Sequence, residues 1–333
     1  MQSLAQSVVT TYVSPVVSGF GANLNSAWFN RAPDAKLFGI DVEIGVVMMN
    51  SFFNNENKAF SKQANLYLDR TEASDLATKY AGGNAQLKDS LINAIIAKQF
   101  TIKVEGPTII GDKDKYIYAL MGGQSVTANL PGGGTKTYTF VSDTVFTKAS
   151  GGLSSFKSLP MGAFHLALGT FFGTKFSIRY LPTFTINNDL GEFKYFGFGI
   201  QHNPGKWLNL KLPVDLSLNF GTQKMDAGKY FSATATMYGI SASKQFGPDK
   251  TNVTPYVGFS MESSKITVKY DYVMTGIPTV SSSTRIPISI EMTGDNTSRF
   301  VIGSAFKLFA LQLNVDYNIS TYNTLSAGLN LVF

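Results

Sequence analysis

The stretch Leu208–Phe220, "LNLKLPVDLSLNF", alternates without a break. Leu208, Leu210, Leu212, Val214, Leu216, Leu218 and Phe220 fall on one face; Asn209, Lys211, Pro213, Asp215, Ser217 and Asn219 fall on the other. A period of two specifies a strand with one apolar and one polar face. At ~3.3 Å per residue it runs to about 40 Å, whereas a soluble strand is usually 5–6 residues long. The pattern recurs. Phe38, Ile40, Val42, Ile44, Val46 and Met48 alternate with Gly39, Asp41, Glu43 and Gly45. Phe176, Ile178, Tyr180, Phe184 and Ile186 oppose Lys175, Ser177, Arg179, Thr183 and Thr185. The chain closes on "LQLNVDYNISTYNTLSAGLNLVF", which alternates on both sides of "STYN" and ends at Phe333.

Two architectures accept such strands. A soluble sandwich turns the apolar face inward; a membrane β-barrel turns it outward to lipid and keeps the polar face for the lumen. Composition favours the barrel. Only 15% of the 333 residues are charged, against roughly 25% in soluble domains. Aromatics reach 13% and gather at stripe ends, among them Phe196, Trp207, Phe220, Tyr270, Tyr272, Phe300, Phe306, Tyr317 and Phe333. Amphipathic rings suit the headgroup level. No stretch approaches the ~18 consecutive apolar residues of a membrane helix; "IGVVMM" at Ile44–Met49 is the richest.

Cysteine is absent, which excludes thiol catalysis, cysteine zinc sites and disulfides. The net charge of +6 is not gathered into a basic run, so no nucleic-acid partner is expected. "MQSLAQSVVT" has neither a basic n-region nor an apolar h-region and is read as the start of a mature chain. Residues 1–35 do not alternate. They read as a short helix and loop, interrupted by Pro15. Residues 72–98 read as a helical insertion, with Leu87, Leu91 and Ile95 on one stripe behind a possible Asn84 N-cap. The remaining segments give about 14 strands. The predicted fold class is all-β: a transmembrane antiparallel β-barrel over residues 36–333, with an N-terminal hatch at 1–35 and a helical loop insertion.

The segments "LPMGAFHLALGTFFGTKFSIRYLP", "GFGIQHNPGKW", "LPVDLSL" and "DYNISTYNTLSAGLNLVF" carry a resemblance, with "YVSPVVSGFGANLNSAWFN" near the start. The chain resembles a family of outer-membrane proteins related in general plan to the long-chain fatty-acid transporters, the FadL-like barrels. The likeness covers mainly residues 159–221 and 310–333. It implies about 14 strands, a hatch in the lumen, and a place in the outer membrane of a Gram-negative bacterium. It carries no established activity, and the insertion at 54–110 has no counterpart in it.

The residues that could line a lumen or hold a ligand there are Asp41, Glu43, Lys103, Glu105, Lys175, Arg179, Lys211, Asp215, Lys269, Asp271 and Asp316. Interleaved charges of both signs build either a salt-bridge network that seats the hatch or a polar path. In the second case Lys175, Arg179 or Lys211 would pair a ligand carboxylate. His202 and Trp207 flank the turn "NPGK" and read as a membrane-interface turn. His165 could serve as a base only beside a nucleophile such as Ser177 or Ser217, and no spacing singles one out. "PGGGTK" at Pro131–Lys136 lacks phosphate-loop spacing. No enzyme, cofactor or metal is expected. The primary functional expectation is a porin-like, passive transport of small hydrophobic molecules through a hatch-plugged lumen. The alternative is a non-transporting subunit of an outer-membrane secretion or assembly complex. Outer-membrane lipid, a small hydrophobic ligand and other outer-membrane proteins are the partners these readings name.

Overall fold

The alternating segments pair into one closed antiparallel wall. The structure is a computed structural model that describes residues 2–33, 38–140, 143–148, 153–187, 191–205, 212–274 and 284–333. The chain opens with helix α1 (Gln2–Leu24), followed by strand β1 (Phe38–Phe52). An insertion then carries β2 (Ala59–Tyr67), α2 (Arg70–Tyr80), α3 (Ala85–Ile96), β3 (Gln99–Pro107), β4 (Tyr116–Leu120), β5 (Gln124–Asn129), β6 (Thr135–Phe140) and β7 (Asp143–Lys148). The wall resumes with β8 (Ser158–Phe171), β9 (Thr174–Asn187), β10 (Gly191–His202), β11 (Asp215–Ala227), β12 (Phe231–Ser243) and β13 (Thr251–Met274). It ends with β14 (Thr284–Thr293), β15 (Ser298–Leu308), β16 (Leu311–Ile319) and β17 (Thr324–Val332).

Pairing runs β12-β11-β10-β9-β8-β1-β17-β16-β15-β13, and a β12–β13 ladder closes the ring. The barrel therefore has 10 strands, which corrects the expected count of about 14. The reason lies in register. "VTPYVGFSMES" and "KITVKYDYVM" are one strand, the 24-residue β13. β14 and β15 pair end to end along the same flank of β13, at Lys265–Met274 and Thr251–Met261. "FTIKVE", "KYIYALM" and "KTYTFVSDTVF" alternate equally well, yet pair only within the insertion.

Two compact units result. One comprises residues 1–15 and 54–156, the other residues 16–53 and 157–333; the division falls inside α1, after Pro15. In the first unit, α2 and α3 start on side-chain caps. Asp69 and Glu72 form a reciprocal capping box, and Asn84 accepts from the Leu87 amide. The apolar stripe foreseen at Leu87, Leu91 and Ile95 packs with Leu76, Phe100 and Phe140. Val8 and Tyr12 of α1 lie against Ile102, Val104 and Ile117 of β3 and β4.

In the barrel unit, side chains keep a parity broken where β8 and β9 bulge near their ends. On β16 and β17 the residues Gln312, Asn314, Asp316, Asn318, Thr324, Ser326 and Asn330 are buried. Leu311, Leu313, Tyr317, Leu325, Leu329, Leu331 and Phe333 are exposed. Elsewhere Ile44, Val46, Met48, Phe176, Ile178, Leu218, Phe220, Ile240, Phe259 and Ile302 repeat the exposure. The polar side is inside and the oily side outside. The oily belt has an end. Along the outer face of β13, Val253, Val257, Phe259 and Met261 give way to the exposed Ser263, Lys265 and Lys269.

Connections differ at the two rims. β8–β9 and β15–β16 turn through Phe172–Gly173 and Phe309–Ala310 at the rim that holds Phe333. Phe172 and Phe309 take positive φ, 51° and 53°, a conformation that bulky L-residues rarely adopt. The insertion leaves from the opposite rim, where β1 ends at Phe52.

Candidate functional site

A ten-strand ring has a backbone radius on the order of 10 Å, and a helix with its side chains is about 10–12 Å across. The two fit only if the inward side chains are small. They are: Gly197, Gly199, Gly221, Gly258, Ala163, Ala167, Ala233, Ala235, Ser217, Ser241 and Ser260 all stand at inward positions. The space they leave is taken by residues 16–33.

This segment runs the length of the lumen, tied to the wall at each level. Near the end of β1, Ser51 Oγ donates to the Gly19 carbonyl at 2.9 Å, and Ser18 Oγ donates to Asp295 at 2.8 Å. Beside Asp295, burial pushes the phenol of Tyr322 up. Asn23 Nδ2 donates to the carbonyl of Leu159, the register partner of Ser51, at 2.6 Å, and Asn25 Nδ2 to that of Ser263 at 3.2 Å. At the far rim the Ala32 amide donates to Ser243 Oγ at 2.9 Å, and Asn203 Nδ2 donates to the Pro33 carbonyl at 2.9 Å.

Two fully buried arginines grip the middle. Arg179 Nη1 donates to the Ser26 carbonyl at 2.7 Å, and its guanidinium lies 4.0 Å from the centroid of Trp28. Arg299 Nη2 donates to the Ala22 carbonyl at 2.7 Å and sits 3.0 Å from Glu262 Oε2; Nη1 donates to Ser26 Oγ. Below them, Glu43 is shared by Lys175 Nζ at 3.4 Å and Arg31 Nη2 at 3.8 Å. Guanidinium groups suit these places because their planar fork serves several acceptors at once.

The opposite face of Trp28 rests on glycine. A Cβ at Gly197, Gly199 or Gly221 would lie 2.9, 2.7 or 2.9 Å from the indole, and one at Gly258 would lie 2.7 Å from Phe29. Gly199→Ala/Gly221→Ala should therefore push Trp28 off the wall, at about 1–3 kcal/mol for an overpacked site. Emission from Trp28 in a Trp207→Phe background should move to the red. An unshifted spectrum would contradict the seat.

The sequence-predicted residues divide. Glu43, Lys175, Arg179 and Asp316 are buried in the lumen. Asp316 accepts from Tyr256 Oη at 2.9 Å and from Asn318 Nδ2 at 2.5 Å. Asp41 is half-buried, and Asp215 is exposed at the start of β11, on the inward parity. Three readings need correction. Lys103 and Glu105 lie on β3 of the insertion, paired with each other rather than lining the lumen. Lys269 is exposed on the outward parity of β13, above the apolar belt. The physical reason is the same in each case: alternation assigns a face, not the sheet or the height of the residue. Lys211, Trp207 and the side chain of Asp271 lie outside the described residues. His202 Nδ1 sits 3.0 Å from Thr174 Oγ1 at the Phe333 rim. His165 faces the lumen opposite Arg179, and its Nδ1 has no hydrogen-bond partner among the described residues. Among these residues no group of three or more His, Asp or Glu is placed to hold a metal.

The reading from sequence missed Arg299, Glu262, Trp28 and the glycine floor. A signal was available: Arg299 alternates with Phe300 and Ile302, Glu262 follows Met261, and "GFG" at 197–199 repeats glycine on the inward parity.

The chain belongs, over residues 1–333, to a family described as of unknown function, DUF6588. No curated protein matches it.

Proposed function

We propose that this family member is an outer-membrane β-barrel whose lumen is sealed by its own residues 16–33. It would act as a membrane-anchored subunit that carries the insertion between β1 and β8, rather than as an open pore. The observation that carries the reading is the inverted wall, with apolar side chains outward and polar ones buried against the segment they enclose. An exposed apolar surface that surrounds a whole barrel is stable in hydrocarbon and aggregates in water. Phe172, Phe309 and Phe333 collect at the rim with the two-residue turns, as rings do at a headgroup boundary. The two-residue turns at that rim and the insertion at the opposite one fit the inner and outer ends of such barrels, although the opposite rim also carries the short connections 228–230 and 320–323.

Passage of small hydrophobic molecules, suggested by the FadL-like resemblance, requires the segment to withdraw. It would then meet a wall of serine, asparagine, glutamine and arginine, which suits water better than oil. The sealed reading is preferred on that ground.

Planar bilayers test it. The full chain should insert yet show no single-channel steps, and liposomes bearing it should not leak small solutes. Deleting residues 16–33 should open it. Steps or solute flux from the intact chain would overturn the seal, while a folded monomer in buffer without detergent would overturn the membrane reading.

A further inference from the structure

The insertion holds an open groove of about 860 Å³ between the 3-10 turn Asn55–Lys58, the end of β3 and the start of β4. That lies within the size range of small-molecule clefts. Its floor bears two tyrosines. Tyr116 and Tyr118 project from the same face of β4, each 38% exposed, with centroids 6.3 Å apart and ring planes at 54°. Glu105 is directly opposite Tyr118 across the β3–β4 ladder. Asp112 and Asp114 stand on the loop at one side, with Lys58 and Lys115 beside them.

The groove is built in advance of any ligand. The loop that carries the aspartates is pinned to the turn: the Thr108 amide donates to the Lys58 carbonyl at 3.0 Å, and Thr108 Oγ1 donates to that of Asn57 at 2.6 Å. A Cβ at Gly111 would lie 2.2 Å from the Lys58 carbonyl, so only glycine passes there. The Asp114 amide closes on Asp112 Oδ1 at 3.0 Å.

The chemistry of the lining narrows the occupant. An ion would call for one sign of charge, but the lining carries both carboxylates and ammoniums. A purely apolar guest would desolvate those charges without offering them a hydrogen bond. What remains is a neutral molecule with apolar faces and a rim of hydroxyls that both donate and accept. We infer that this groove binds a neutral saccharide, its ring C–H faces on Tyr116 and Tyr118 and its hydroxyls shared among Glu105, Asp112, Asp114 and the two lysines. The inference concerns the insertion alone and stands apart from the sealed-barrel reading.

The test is titration calorimetry on the full chain in dodecyldimethylamine oxide, a detergent that carries no sugar. The probes are di- and trisaccharides of glucose, galactose, mannose and N-acetylglucosamine, with tetramethylammonium as the cationic comparison. At least one saccharide should bind saturably and independently of salt. Tyr118→Ala should weaken it about tenfold, the effect of losing one stacked ring, and Tyr118→Phe should restore it. Heat-shifted gel migration shows whether the barrel of each variant is folded. The proposal is overturned if no saccharide binds, if tetramethylammonium binds instead, or if Tyr116→Ala/Tyr118→Ala leaves the affinity unchanged.

Discussion

Leu329→Arg is expected to destabilise the barrel by about 2–4 kcal/mol when folding is measured by urea titration in phospholipid vesicles. Leu329 points outward from β17, between Val46 of β1 and Leu313 of β16. All three side chains are exposed. It is central in the apolar series Leu325–Phe333, so in a bilayer an arginine here meets hydrocarbon with no rim close enough for its head to reach. Ser263→Arg supplies the comparison. It too faces outward, but it lies two residues beyond Met261, where the surface of β13 has become polar. Its cost should be about 0–1 kcal/mol, as for a charge near the interface. Were the outer face in water, both changes would be surface substitutions within about 0.5 kcal/mol of neutral. Equal small penalties would therefore exclude the membrane reading, whatever the state of the lumen.

That contrast also explains what could be read from the sequence. A period of two fixes which side chains share a face, and the described wall strands keep the assigned parity except in β9, where an extra residue between Leu181 and Phe184 turns Phe184 from the face of Tyr180 to that of Phe193. It does not fix where a strand ends or which sheet it joins. β13 passes from Met261 to Lys265 with its inward side unbroken through Ser260, Glu262, Ser264 and Ile266. Only the outward residues change character there, and that change resembles a strand boundary. β3 reads Phe100, Ile102, Val104 against Thr101, Lys103, Glu105, like any wall strand, yet its apolar face packs on insertion residues and α1. The lumen segment was visible as a break in alternation. Its partners were not, because a lone arginine at an inward position has the same local signature whether it meets water or the Ala22 carbonyl.

The partner with the most to lose is Arg299. Arg299→Ala should cost about 3–5 kcal/mol, the range for removing one member of a buried ion pair. Glu262 is 6% exposed and would keep its charge with no cation in contact. The Ala22 carbonyl would keep only Ser26 Oγ as a donor, and Ser26 Oγ would lose the hydrogen bond it accepts from Arg299. Because those two groups belong to residues 16–33, the damage should not stop at stability. The segment loses a mid-lumen anchor, and bilayers containing R299A should show conductance steps that the native chain lacks. The reverse experiment separates charge from packing. Glu262→Leu/Arg299→Met removes both charges and retains most of the volume, and such replacements are often neutral or stabilising. The double variant should therefore recover most of the lost free energy. Recovery of the seal along with it would mean that packing holds the segment; recovery of stability alone would assign the seal to the arginine's hydrogen bonds. A cost below about 1 kcal/mol for R299A would show instead that water reaches Glu262, as at a surface ion pair, and would leave no dry lumen for residues 16–33 to seal.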